Sequence, residues 1–228
     1  MTSVSSGIVR AKSGNAQRAF DNTTPMKTNK NQYLKQIVPH LEEKYGAEKA
    51  ESISASAWKH FDAICAENPN EPKAYDMHTK DRIYPAIATL KAMMEAGIDR
   101  QEAIDFLCNY YLWRAAGKAK MFKRMLKIPG FYKKMPGWWK KLTPKMFGES
   151  AGFKSVWHED PEWELSFDMV KCPYHEKCIA YGCPELCRAY CEADDVCYGD
   201  MHSKLVWGRT KTLGKGGDCC DFKMKVKK

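Results

Sequence analysis

The chain has 228 residues, of which 44% are hydrophobic and 12% aromatic, so it can bury a sizeable core and is too apolar for a disordered protein. Its formal charge of +9 favours anionic partners in general and selects none of them. No stretch approaches the roughly 20 apolar residues of a membrane-spanning helix, and residues 1–30 lack the apolar segment of a secretory signal. We therefore expect a cytoplasmic protein without a membrane span, whose ten cysteines are reduced thiols.

The first half of the chain has the patterning of helices. Residues 1–30 are rich in polar side chains and predict a flexible N-terminal arm, followed by a single domain over residues 31–228. From residue 31, apolar side chains at helical spacing predict two amphipathic helices that end at Asn68-Pro69. A third helix is expected over residues 82–96. A fourth begins at Asp99, where Asp-Arg-Gln-Glu has the spacing of a capping box, and the predicted helical part extends to residue 150.

A basic and aromatic segment lies between Phe106 and Gly148, where no acidic residue occurs. Lysines and arginines from Arg114 to Lys145 alternate there with aromatic side chains. The segment could be a nucleic-acid surface, a membrane-surface segment, a cationic lid over an anionic ligand, or a solvated helix face whose aromatics reach the core. Because no known nucleic-acid motif occurs, nucleic acid is not an expected partner.

After Gly152 the apolar period changes to two, which is typical of strands. Residues 153–169 predict one hairpin with a turn at 158–162, and residues 204–226 predict a second hairpin with a Gly-rich loop at 213–218. Between them lies a short cysteine-rich helical insertion, from residue 171 to about 195. The expected fold is α+β, with a helical N-terminal half followed by an antiparallel sheet of two hairpins in the cysteine-rich part, residues 151–228.

The cysteine-rich insertion raises the question of a metal or an iron–sulfur cluster, because thiolates bind both strongly. Its six cysteines are Cys172, Cys178, Cys183, Cys187, Cys191 and Cys197. No C-x-x-C pair occurs, and three of the six are four residues apart, so on a helix they form one stripe of small core side chains. We expect no cofactor, and a bound metal or cluster remains the alternative.

The second hairpin predicts a reactive thiol. If Thr212 and Cys219 close the loop, Lys211 faces Cys220 and Arg209 faces Phe222, all on the core face of the sheet. Two cations on a core face indicate a pocket for an anion, and they should lower the pKa of Cys220. Asp221 should face away by strand alternation. The alternative is an inert buried thiol packed beside the neighbouring aromatic ring.

The chain resembles a known family, L-2-amino-thiazoline-4-carboxylic acid hydrolase, over roughly residues 75 to 226 and most strongly in its C-terminal third. The resemblance is carried by Lys171-Cys172-Pro173, Tyr181-Gly182-Cys183-Pro184-Glu185-Leu186, Cys191 with Asp194, Arg209-Thr210 with Thr212-Leu213, and Gly217-Asp218-Cys219-Cys220-Asp221-Phe222. It implies a cytoplasmic hydrolase that acts on the non-peptide carbon–nitrogen bonds of a cyclic amidine. Such an enzyme adds water at the carbon between sulfur and nitrogen of a small anionic substrate.

Together with the hairpin, the resemblance suggests roles for individual residues. We assign catalysis to Cys220, Asp221 and His202, and substrate binding to Arg209, Lys211 and Thr212. Cys220 would attack and Arg209 would hold the substrate carboxylate, while a histidine or Asp221 manages the proton. His78 and His175 are the other candidate bases. A non-catalytic module that binds a ligand or a metal through its cysteines is the alternative function, and the sequence leaves the oligomeric state open.

Overall fold

The computed structural model describes residues 31–227, and the N-terminal arm predicted over residues 1–30 lies outside them. Its first half is helical, as predicted. The helices are α1 (Gln32–Gln36), α2 (Val38–Tyr45), α3 (Ala47–Glu67), α4 (Tyr84–Glu95), α5 (Arg100–Met125) and α6 (Met135–Met146). None of the helices in this described part is long and apolar enough to cross a membrane.

Helix α4 lies at the centre of the helical half. Its residues from Tyr84 to Met93 are apolar on nearly every side, and all of them except Lys91 are buried. Helix α3 packs against it with Ile53, Phe61 and Ile64. A helix that is apolar all round is stable only when other elements surround it, so α4 forms the core on which the remaining helices assemble.

Helix α5 connects this core to the second half of the chain. Asp99 caps its first turn by accepting hydrogen bonds from the backbone N–H groups of Gln101 at 2.8 Å and Glu102 at 3.2 Å, as the sequence predicts. Helix α5 ends at Met125, and a separate α6 follows after Pro129-Gly130. Aromatic side chains of both helices, including Phe122 and Trp139, pack against the core.

The second half is a four-stranded antiparallel sheet made of two hairpins, as predicted. Its strands are β1 (Lys154–Trp157), β2 (Leu165–Lys171), β3 (Leu205–Gly208) and β4 (Cys220–Val226), in the order β1-β2-β4-β3. The cysteine-rich insertion between β2 and β3 forms α7 (Pro173–Ala180) and α8 (Cys187–Tyr198). Helix α8 packs against α5, so the described helices and the sheet form one compact unit.

The pairing predicted for the second hairpin is correct at its open end and wrong near its loop. Leu205 pairs with Val226 and Trp207 with Met224, but β3 ends at Gly208, before the predicted partners of Phe222 and Cys220. The cause is the buried carboxylate of Asp221. It accepts hydrogen bonds from the backbone N–H groups of Thr210 at 2.8 Å and Lys211 at 2.7 Å, and from the Thr210 hydroxyl at 2.7 Å. A side chain thus takes the backbone donors that a longer strand would use.

Candidate active site

A cavity of about 170 Å³ lies between α5, α8 and the concave side of the sheet. Aromatic side chains are the largest group in its wall. The aromatic residues that line it are Tyr111, Trp139, Phe147, Phe153, Phe167, Tyr174, Tyr190, Tyr198, Trp207 and Phe222. The polar groups of the wall are the cations Arg82, Arg114, Lys118 and Arg209, the Asp194 carboxylate, the Thr143 hydroxyl and five thiols. A largely apolar pocket with a few convergent polar groups is the usual form of a small-molecule site.

One wall of the cavity is built from cysteine thiols. Helix α8 presents Cys187 and Cys191 one turn apart, and β4 supplies Cys220 from the other side of Cys191. All ten cysteines of the chain are free. The loop after β3 comes so close to α8 that a Cβ atom on Gly214 would lie 3.0 Å from the Sγ atoms of both Cys187 and Cys191. Glycine at this position therefore allows the loop to cover the thiols.

Cys191 is the thiol of this wall whose pKa its neighbours lower. The thiols of Cys187 and Cys220 donate hydrogen bonds to its sulfur, and Arg209 lies nearby, so its pKa is far below that of an ordinary thiol. The Thr212 hydroxyl, which has no partner of ordinary hydrogen-bond geometry among the described residues, also acts to lower this pKa. Because a thiolate is the reactive form of cysteine, the lowered pKa makes Cys191 the candidate nucleophile among the cavity thiols.

The pKa expected for Cys220 is wrong in direction. Its hydrogen bond to Cys191 and its burial raise the pKa of Cys220, although the backbone N–H of Leu213 donates to its sulfur at 3.2 Å and lowers it. Its strand partner is Met169 of β2, not Lys211. Cys220 therefore stays protonated and acts as the donor to its neighbour.

Arg209 faces the interior, as predicted, but its charge is already compensated. Its side chain is 2% exposed and lies over the ring of Phe222, with 5.5 Å between the guanidinium carbon and the ring centre. It pairs with Asp195 at 2.5 Å and Asp194 at 3.5 Å, and it donates to the backbone carbonyl of Cys191. Burial raises the pKa of Asp194 to about 7, although Arg209 opposes this shift.

The other predicted site residues do not line the cavity. The inward orientation expected for Lys211 is wrong, because its ammonium group is on the surface and pairs with Asp218 at 2.5 Å. His202 stacks on Tyr132 at 4.5 Å and accepts a hydrogen bond from a backbone N–H. Burial raises the pKa of Asp221, but its three hydrogen bonds outweigh this effect and hold the pKa below its usual value. The structure thus brings Cys220, Arg209 and Thr212 close to Cys191, and separates Lys211 and His202 from it.

Sequence reasoning missed a buried relay behind the cavity. Arg82 donates to the Tyr174 hydroxyl at 3.2 Å, and that hydroxyl lies 3.1 Å from Nδ1 of His78. Nε2 of His78 lies 2.8 Å from the carbonyl oxygen of Met146. Burial lowers the pKa of His78 to about 4, so the ring is neutral near pH 7, its Nε2–H donates to Met146, and its Nδ1 accepts from Tyr174. The relay fixes the position of Arg82 at the cavity.

A family model described as L-2-amino-thiazoline-4-carboxylic acid hydrolase matches residues 76–224, which is more than half of the chain. The chain belongs to the L-2-amino-thiazoline-4-carboxylic acid hydrolase family. The resemblance stated from the sequence is therefore confirmed. Every residue that lines the cavity of this family member falls inside the matched range. No curated protein and no solved structure matches the chain.

The cysteine thiols of this hydrolase family member contact one another and do not surround one common position. Within residues 31–227, no group of three or more histidine, cysteine or acidic residues is arranged to hold a metal ion. Instead, side-chain interactions link neighbouring thiols in the order Cys183, Cys178, Cys187, Cys191 and Cys220, and they lower the pKa of Cys183 and of Cys191. Neighbouring thiols therefore shift one another's pKa values.

Proposed function

We propose that this chain is a hydrolase that opens the ring of a cyclic amidine related to 2-amino-thiazoline-4-carboxylate, with a cysteine as its nucleophile. Membership of the family supports a hydrolase in general. The observation that supports the finer proposal is the sulfur pair of Cys191 and Cys220 at the wall of an aromatic cavity. A soft nucleophile next to a proton donor is the pair of groups that covalent attack on an amidine carbon requires.

In the proposed reaction, the Cys191 thiolate adds to the carbon between the ring sulfur and the ring nitrogen. A bond forms between the Cys191 sulfur and this carbon, and a ring bond of the same carbon then breaks. The Cys220 thiol, already hydrogen-bonded to Cys191, is placed to protonate the leaving ring atom. Water then adds to the covalent intermediate, one of its protons restores the Cys220 thiol, and the carbamoyl amino acid is released as the Cys191 sulfur leaves as a thiolate.

This proposal changes the roles that the sequence suggested and keeps most of the residues. Cys220 becomes the proton donor, and its neighbour on α8 becomes the nucleophile. Thr212 stabilises the thiolate with its hydroxyl. Arg209 holds the end of α8 through Asp194 and Asp195. A location in the cytoplasm, where thiols stay reduced, suits this chemistry.

Three serine variants test the proposal. Cys191→Ser should lower turnover by at least about a thousandfold, and Cys220→Ser should slow it strongly because the leaving atom loses its proton donor. Cys65→Ser is the matched control, since Cys65 lies on α3 and does not line the cavity. The assay is mass spectrometry of the product of 2-amino-thiazoline-4-carboxylate, which is heavier than the substrate by one water.

The outcomes separate the alternatives. If Cys220→Ser is inactive and Cys191→Ser is active, the original assignment of Cys220 as nucleophile is correct. If both variants keep turnover, no cysteine of this pair is the nucleophile. If the unchanged protein binds the compound without turnover, the cavity belongs to a binding module and the proposed hydrolase is wrong.

A further inference from the structure

Three cations that line the cavity have no acidic partner. Arg82 belongs to the turn before α4, and Arg114 and Lys118 belong to α5. Among residues 31–227, none of the three forms an ion pair with a carboxylate, whereas Arg209 forms two. The charge of Arg209 is thus compensated by ion pairs within the protein, whereas in this described part Arg82 and Arg114 have no such pair and Lys118 has only the longer-range attraction of Asp194.

Neutral groups hold these cations in place. The Arg114 guanidinium lies over the rings of Tyr33 and Tyr110, with its central carbon 5.4 and 5.7 Å from the ring centres. Its Nη1 atom is buried and has no hydrogen-bond partner among the described residues. Arg82 is fixed by Tyr174, which in turn contacts the neutral ring of His78. The fold therefore holds both arginines in position without an ion pair to an acidic residue among residues 31–227.

The three cations also repel one another. Although the Lys118 side chain is exposed at one end, partial desolvation at the cavity lowers its pKa, the positive charges of Arg82 and Arg114 lower it further, and Cys197 and Asp194 oppose the shift. A buried donor left without a partner costs free energy, and so do like charges brought together away from water. An arrangement that costs stability in the free protein is expected where a ligand compensates it.

We propose that Arg82, Arg114 and Lys118 bind the anionic end of the substrate, and that this end is a dianion such as a dicarboxylate or a phosphate monoester. One carboxylate would compensate only one of three cations and leave two facing each other. A dianion leaves a net charge of one on this cluster. The inference rests on the proposed function, which supplies the cavity as the substrate site and the cyclic amidine as the reacting group.

The aromatic wall adds to this description of the substrate. With one end at the cations, the rest of a bound molecule lies against tyrosine, phenylalanine and tryptophan side chains. An unsaturated ring packs well against such side chains. The substrate class is therefore a cyclic amidine that carries a doubly charged anionic group.

Binding of simple anions tests the proposal without any turnover. Isothermal titration of the unchanged protein at constant ionic strength would compare malonate, inorganic phosphate and acetate. We expect malonate or phosphate to bind at least about tenfold more tightly than acetate, since a second charge meets a second cation. Tighter binding of malonate would indicate a dicarboxylate, and tighter binding of phosphate would indicate a phosphate monoester.

Variants identify the cations involved. Lys118→Met should weaken binding of the preferred dianion by about tenfold, as expected for the loss of one charged contact. Lys120→Met is the matched control, because Lys120 is an exposed lysine on the same helix that does not line the cavity. Lys118 has an exposed side chain, so its replacement should not prevent folding; Arg114→Met can be added if it folds.

Two results would overturn the inference. One is acetate binding as tightly as the dianions, or no binding of any of the three. The other is equal binding by Lys118→Met and Lys120→Met. Failure of the cysteine nucleophile would instead appear as turnover by Cys191→Ser, so the two proposals fail in different experiments.

Discussion

Cys191 should react with iodoacetamide at a rate that hardly depends on pH between 6 and 8. Alkylation requires a thiolate, and for an ordinary thiol the thiolate fraction rises about 80-fold over this range. Hydrogen bonds from Cys187 and Cys220 keep Cys191 ionised throughout, so its rate constant should change by less than about threefold. Alkylation is followed by quenching at fixed times and peptide mapping by mass spectrometry.

Other cysteines of the same chain serve as internal references. Burial raises the pKa of Cys65 to about 11 and that of Cys172 to about 12, so both should be modified slowly at pH 7. Replacing Cys220 with alanine removes one hydrogen bond to the thiolate, which is worth about 1.5 to 3 kcal/mol. Reactivity of Cys191 on the acidic limb of the profile should then fall by about 10- to 100-fold.

The result that would refute this reasoning is an alkylation rate constant of Cys191 that rises about tenfold per pH unit, as for a free thiol. An acidic limb that is unchanged in Cys220→Ala would also refute it. In either case the negative charge would not reside on the sulfur at the centre of the cluster.

Three further substitutions test the framework of the site. The pKa of His78 is lowered to about 4 in the folded protein, so the unfolded chain binds a proton on this residue more readily. The free energy of unfolding should therefore fall by about 3 kcal/mol as the pH drops from 6.5 to 4. In His78→Gln, urea unfolding should show no loss of stability from this residue. Asp221→Asn removes a charged acceptor of three hydrogen bonds and should cost about 1 to 3 kcal/mol in the same assay. Gly214→Ala places a Cβ 3.0 Å from two sulfurs of α8, so we expect about 1 to 3 kcal/mol of destabilisation and slower alkylation of the cavity thiol.

Each of these substitutions has a reference measurement. For His78→Gln, the stability gap to the unchanged protein must narrow at acid pH, and a constant gap would contradict the prediction. Asp218→Asn is the control for Asp221→Asn and should have no measurable effect, since Asp218 is exposed. Gly117→Ala has nothing within 4 Å of its new Cβ and should stabilise α5, so similar destabilisation by both alanine variants would argue against the contact at the sulfurs.

The sequence predicted the helices and both hairpins because their signals are local. The periodicity of α4 and α5, the Asp99 cap and the alternation along β2 depend on residues within a few positions of each other. The end of β3 could not be predicted in this way. It depends on Asp221, a residue across the hairpin whose carboxylate competes for the backbone of Thr210 and Lys211. A prediction from strand alternation assumes that the ladder of backbone hydrogen bonds continues, and it does not account for a side chain that competes for those donors.

The site was predicted only in part, because its chemistry arises between distant segments. The four-residue spacing of Cys183, Cys187 and Cys191 predicts one helical stripe of core side chains; all three are buried, but only Cys187 and Cys191 lie on α8. The pKa of Cys191 is lowered first by Cys187 on the same helix and then by Cys220, which lies on another element. For the cations, the four-residue spacing of Arg114 and Lys118 places them on one face of α5, but only the packing of α8 decides that this face borders a cavity.

The charges of the cavity explain why so many cysteines surround one thiolate. A lone thiolate among aromatic side chains would be costly, because burial penalises its charge. Cations next to it would relieve this cost, but they would also neutralise the nucleophile and occupy the place of the substrate. Thiols are donors without charge, so Cys187 and Cys220 stabilise the anion while the cations Arg114 and Lys118 keep their charge for another partner. In the proposed reaction, Cys220 also donates its proton to the leaving ring atom, so the thiol cluster serves both the attack on the ring and the departure of the leaving group.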